Sequence, residues 1–320
     1  MNNLFNLKTT GLSIFLAIII NSSILSLAQA STANSIGQQT SMSSLYQLEI
    51  QRPPGAEPAR FSDTMKSKVS AIRWILIDGI FGDFAENLYQ QTTQVLQQEF
   101  GSTDIHLIRP SSFNTVLENS KQIANELRVL TRDLSKKTYV IAHSRGAAEL
   151  FLALLQEPEL LQKNITQVVL VQGAFAGSPL ADFVMPGVDF LAEYSDLIRS
   201  LQDSAQSLTT LSSTLDRELL QLNAKKQQAL FQKKIAFVRA SANLSKISMP
   251  LKPSSIYLTQ FFGTNDGVIL TEQQWVRGWG QDLGTLESDH FGLLGGLDKG
   301  GISQRAFART LMKRLFLLAP

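Results

Sequence analysis

Residues 139–150 read YVIAHSRGAAEL. The first four have the length and apolar composition of a buried strand, and the small residues after the serine open a helix. Between them stands Ala142-His143-Ser144-Arg145-Gly146, which places a serine on a sharp strand-to-helix turn with alanine in the first glycine position. Such a turn is strained, and large neighbours would collide with the adjoining strand and helix. Ala142, Gly146 and Ala147 meet that need. The turn lifts the Ser144 hydroxyl above a sheet and aims the first helix amides, that of Arg145 among them, at one point, so a nucleophile and a site for negative charge arrive together.

Working outward, short apolar runs alternate with amphipathic stretches from Arg73 onward, the pattern of an α/β protein with a mostly parallel sheet and helices on both faces. Strands are expected at 74–77, 105–108, 139–142, 167–172 and 256–262. Helices are expected at 84–100, closed by Gly101, and at 116–134, 145–155 and 304–317. From about 180 to 242 leucines recur at helical spacing with no strand run between them, which predicts a helical insertion. Lying over the carboxyl ends of the strands, it would act as a lid.

A serine hydroxyl needs a base, and the chain holds only three histidines. His143 lies in the turn itself and His106 in a strand-like run upstream. His290, in SDHFGLLGG, follows the chain order serine, acid, histidine of this architecture. The acid should lie between them at the end of a strand. Asp266 in GTNDG fits, with an Asn-Asp-Gly turn to hold the carboxylate; Asp182, Asp289 and above all Asp282 are the rivals. WILIDGIFGD, residues 74–83, supplies the candidate second oxyanion donor, the amide of Ile80, with Gly79 admitting close backbone approach.

The rest of the chain bounds the context. Residues 1–30 read as an export signal: Lys8 is the one charge, an apolar stretch runs through 11–27 broken by Asn21-Ser22-Ser23, and Ala28-Gln29-Ala30 resembles a cleavage site. A secreted or periplasmic location is therefore expected. Residues 31–70 are Ser-, Thr- and Gln-rich, with one strand-like run at 45–50, and are expected to form a polar leader ahead of the main domain at 71–320. The net charge of +2 arises from 29 basic and 27 acidic residues without a concentrated basic face, which argues against nucleic acid as a partner. With no cysteine, disulfides, thiolate metal sites and a cysteine nucleophile are excluded.

With these residues in place the sequence resembles bacterial extracellular lipases and esterases of the α/β-hydrolase fold, and more loosely polyester depolymerases. IDGIFGD, RPSSFNTVLENS, AHSRG, QGAFAGSPLAD and NDGV with DHFGL carry the likeness over roughly 73–300. The resemblance implies an exported serine hydrolase that cleaves acylglycerols or other lipid esters through an acyl-enzyme, without a cofactor, its lid meeting a lipid–water interface. A phospholipase, acyltransferase or depolymerase would use the same residues, and a catalytically silent binding protein would keep only the fold. Two departures stand out. Lipases of this type usually have histidine where Asp78 stands, and many carry a calcium-binding acid at the position of Gly292, so no metal is expected.

Overall fold

A computed structural model describes residues 41–52, 60–79, 88–182, 224–295 and 302–316. Its centre is a six-stranded sheet of β1 (Arg73–Ile77), β2 (Ile105–Ile108), β3 (Thr138–His143), β4 (Gln167–Val171), β5 (Ile235–Ser241) and β6 (Gln281–Glu287), in the order β2-β1-β3-β4-β5-β6. Every adjacent pair is parallel. Side chains alternate across the sheet and feed two cores. Ile75, Ile77, Val140, Val168 and Phe237 point to one, while Trp74, Leu76, Ile141, Val169 and Val238 point to the other. Both faces must then be covered, and eight α-helices do it among the described residues: α1 (Met42–Ile50), α2 (Asp63–Ser70), α3 (Gln90–Gln94), α4 (Val116–Leu130), α5 (Ser144–Gln156), α6 (Ala224–Lys234), α7 (Lys252–Phe261) and α8 (Ile302–Phe316).

The strand order reverses between β1 and β3, because the chain passes from β1 out to β2 and returns on the other side. Open parallel sheets form a crevice at such a reversal, above the carboxyl ends of the strands. Gly79 and Ser144 follow the two strands that flank it.

Three sequence expectations are corrected. Residues 256–262 are not a strand but most of α7: Pro253 starts the helix, and Ser255 and Leu258 are its buried residues, spaced three apart. The strand beside β4 is instead β5, which lies within the stretch expected to be helical insertion and has an uninterrupted buried start, Ile235 to Val238. The short run at 45–50 belongs to helix α1 rather than an edge strand, with Met42, Tyr46 and Glu49 facing inward at helical spacing. Edge strand β6 was not expected at all, since Leu286 is its one buried residue. Of the expected lid, residues 183–223 lie outside the described residues, as do the expected export signal and Ile80.

α1 is tied to α8 by a buried carboxylate. Glu49 pairs with Arg309 at 3.0 Å and Arg52 at 2.7 Å and accepts a hydrogen bond from Lys313, while Arg309 also meets Glu99. Burial raises the Glu49 pKa, but the hydrogen bond from Lys313 and the charges of Arg309 and Lys313 outweigh it and hold the carboxyl below its ordinary value. Glu49→Ala leaves Arg309 buried with one partner fewer, so a loss of about 3 kcal/mol is expected in urea unfolding at neutral pH. A depressed folded pKa stabilises above the unfolded pKa and is lost as pH falls through the folded one. The gap between the variant and the native chain should therefore narrow as pH falls below the ordinary range of a glutamate carboxyl.

Candidate active site

β3 runs without a break into α5, and the junction is Ser144, which adopts φ 55°, a left-handed conformation for a residue with a side chain. That conformation costs on the order of 1–3 kcal/mol and persists only where the surroundings enforce it. Here the enforcement is steric. A Cβ on Gly146 would overlap the carbonyl oxygen of Asp78, so β1 and the first turn of α5 pack backbone to backbone. A Cβ on Gly79 would stand 2.9 Å from Ser144 Cβ and 3.1 Å from the His143 carbonyl oxygen. Both positions admit only glycine, and Gly79 brings the strand-β1 loop against the serine.

The three residues expected from the sequence meet in one hydrogen-bonded chain. His290 Nε2 lies 2.9 Å from Ser144 Oγ, and His290 Nδ1 lies 2.8 Å from Asp266 Oδ2. All three are buried. Asp266 does not follow a strand directly, as expected, but closes the excursion that contains α7; the chain comes back to the end of β5, where Ala242 N donates to Asn265 O at 3.1 Å. His290 follows β6, and its amide donates to the Asp266 carbonyl at 2.8 Å. Parallel strands thus deliver serine, acid and histidine to the same end of the sheet.

The Asp266 carboxylate accepts five hydrogen bonds. Oδ1 takes the amides of Val268 at 3.0 Å and Ile269 at 2.8 Å; Oδ2 takes His290, Gln172 Nε2 at 2.9 Å and Gln274 Nε2 at 3.1 Å. These five donors fix the orientation of the carboxylate toward His290. Gln172, at φ 49°, also donates to the Asp289 carbonyl at 3.0 Å, and Gln274 accepts from the Ala240 amide. Neither glutamine was anticipated. The one available signal was a polar residue ending the apolar run VVLV just before Gly173.

His143 turns away from the hydroxyl, as expected, and its Nε2 donates to the His290 carbonyl at 3.0 Å. Burial and the neighbouring His290 push its pKa down to about 3, so it stays neutral. His106 pairs with Asp104 on the surface at 2.7 Å. Of the rival acids, Asp282 is engaged by Arg239 at 2.6 Å, and Asp289 accepts from Ser248 and Phe291 N. The side chain of Asp182 lies outside the described residues.

The Arg145 amide belongs to the first turn of α5, where amides lack intrahelical acceptors and can take a negative oxygen. Its side chain is buried, pairs with Glu149 at 2.7 Å, and donates to the carbonyls of Ser112 and Asn114. The loop after β2 is thereby tied to the serine turn. Burial pushes the Glu149 carboxyl up to about 7 against the opposing pull of Arg145 and Asn119. Asp78 is buried beside the Gly79 loop, and Arg109 Nε meets its Oδ2 at 3.2 Å, so its charge is matched within the fold.

The arrangement of sheet and helices recurs in solved structures. A metagenomic carboxyl esterase superposes with TM-score 0.59 at 20% identity, over 83% of this chain and 79% of that one. The chain has the α/β-hydrolase fold. The mature lipase of Bacillus licheniformis matches this hydrolase fold with TM-score 0.57 at 16% identity, over 84% and 96% of the two chains. The phospholipase PlaB of Legionella pneumophila, in complex with thio-NAD, matches with TM-score 0.53 at 13% identity, over 77% of this chain and 58% of that one. No protein-family model and no curated protein sequence matches the chain.

Proposed function

We propose that this chain hydrolyses carboxylic esters with Ser144 as nucleophile, His290 as general base and Asp266 as the acid that orients it. The observation that carries this reading is the unbroken run of 2.9 and 2.8 Å contacts from Ser144 through His290 to Asp266, built on a strained serine turn. Ser144 Oγ attacks the ester carbonyl while its proton passes to His290 Nε2; the tetrahedral oxyanion rests on the amide of Arg145, with Ile80 the second donor expected from the sequence. His290 then returns the proton to the departing alkoxide, leaving an acyl-serine. Water, deprotonated by His290, frees the acid and restores the hydroxyl. Asp266 orients His290 throughout and stabilises the imidazolium.

The substrate class we propose is a lipid ester, acylglycerol or phospholipid. Fold neighbours described as carboxyl esterase, lipase and phospholipase support it, as does the leucine-rich stretch expected as a lid. Export through residues 1–30 is part of the same proposal. The test is hydrolysis of short- and long-chain p-nitrophenyl esters by the chain beside Ser144→Ala. Turnover that depends on Ser144 and rises with acyl length supports a lipase; short-chain preference supports an esterase; a folded chain inactive on every ester sinks the reading.

A further inference from the structure

We propose that the excursion between β5 and Asp266 is a docking face for an anionic lipid surface. Residues 243–264 leave the sheet at the carboxyl end of β5 and return there, closed by the Ala242–Asn265 hydrogen bond. Ile247, Leu251, Ser255 and Leu258 anchor the excursion inward. Several of its outward residues are large and apolar. Leu244, Met249, Ile256, Phe261 and Phe262 make up five of the eleven large hydrophobic residues exposed among the described residues, with Met249 at 74% and Phe261 at 63%.

On α7 Ile256 and Phe261 share one face, and Phe262, just past the helix end, meets it through the Tyr257 ring. At 100° per residue Pro253, Ile256, Tyr257, Gln260 and Phe261 fall within about 140° of the circumference, and the buried Ser255 and Leu258 lie outside that arc. Tyr257 gathers the aromatic end, its ring 5.2 Å from Phe261 and 5.7 Å from Phe262. Aromatic and aliphatic side chains of this kind insert to shallow depth at a headgroup boundary.

Charge selects the occupant. Residues 243–264 contain Lys246 and Lys252 and no aspartate or glutamate. Glu287 of β6 stands across the groove that Leu244 and Ile256 line, at the border of the face. Lysines flanking an exposed apolar face attract an anionic leaflet and gain nothing from a neutral one.

The face is also fastened to the candidate active site. Ser248 N donates to Asp289 Oδ2 at 2.9 Å, one residue before His290, and Ser254 Oγ donates to the carbonyl of Gly267, one residue after Asp266, at 2.5 Å. Docking here would hold the carboxyl end of the sheet against lipid. In that purpose the inference rests on the ester-hydrolase reading; in its binding chemistry it does not.

The test places a reporter in the face. Phe262→Trp is made in the full chain on a Ser144→Ala background, so that vesicle lipid stays intact, and its emission is taken as the difference from the same background without it. With vesicles of phosphatidylcholine and phosphatidylglycerol, the introduced indole should shift to the blue and be quenched by brominated acyl chains. Lys246→Glu with Lys252→Glu should weaken that response severalfold, as should raised salt. In the Ser144 chain the same lysine changes should leave turnover of a short soluble ester unaltered. An indole that stays in water while the protein sediments with vesicles overturns the proposal, because another segment then carries binding. So does an equal response on pure phosphatidylcholine, or an indole already shielded before lipid is added, which would mean that the chain or a second copy covers the face. Quenching without any ester turnover would leave docking standing and sink the hydrolase reading instead.

Discussion

Ser144→Ala is expected to lower kcat for ester hydrolysis by about 10⁶, leaving only the small catalysis that oriented backbone amides provide without a nucleophile. The size follows from geometry. Among the described residues His290 Nε2 meets the Ser144 hydroxyl alone, so removing that oxygen removes both the attacking atom and the proton that the base accepts. Alanine keeps the small side chain that the turn demands, and among the described residues the Ser144 hydroxyl bonds only to His290. The melting temperature should therefore move little. Steady-state kinetics on a soluble p-nitrophenyl ester, beside a thermal melt, separates the two effects. A rate within tenfold of the native chain would show that ester cleavage arises from another group.

Asp266→Asn should cost about 10⁴ in kcat and, unlike the serine change, should also destabilise the fold. Five donors converge on the two carboxylate oxygens of Asp266, from the amides of Val268 and Ile269 on one side and from His290, Gln172 and Gln274 on the other. An asparagine must turn its own NH₂ toward one of those sets. Donor then faces donor in a buried site, which costs about 1–3 kcal/mol, and where the NH₂ turns to the second set His290 also loses the acceptor that holds its Nδ1 proton. Thermal melts and a kcat/KM profile against pH read both losses. Asp282→Asn is the control, because its carboxylate is engaged by Arg239 at the sheet edge. Greater loss from the control than from Asp266→Asn would move the acid elsewhere.

The glutamines that hold Asp266 mark where reading from sequence stops. Gln172 and Gln274 are separated by about a hundred residues, and only the approach of β4, β5 and their loops around Asp266 gives either amide a carboxylate to bind. The same holds for Glu49, which lies in a stretch whose composition suggested a polar leader. Its partners Arg309 and Lys313 are at the far end of the chain, on α8.

What the sequence determined by itself were the features written in local chemistry. Small residues around Ser144 are required by a turn that exists within five positions, and only three histidines left His290 to be found by elimination. Alternating short apolar runs also sufficed for the parallel α/β class, since strands buried on both faces must be apolar throughout. What only the tertiary structure decided was which apolar run joined the sheet. Residues 256–262 have strand composition yet all but the last lie in α7, and residues 235–241 lie within an expected helical stretch yet form β5. Short apolar runs satisfy either period, and the choice falls to whichever segment can reach the open edge of β4 and pair along it.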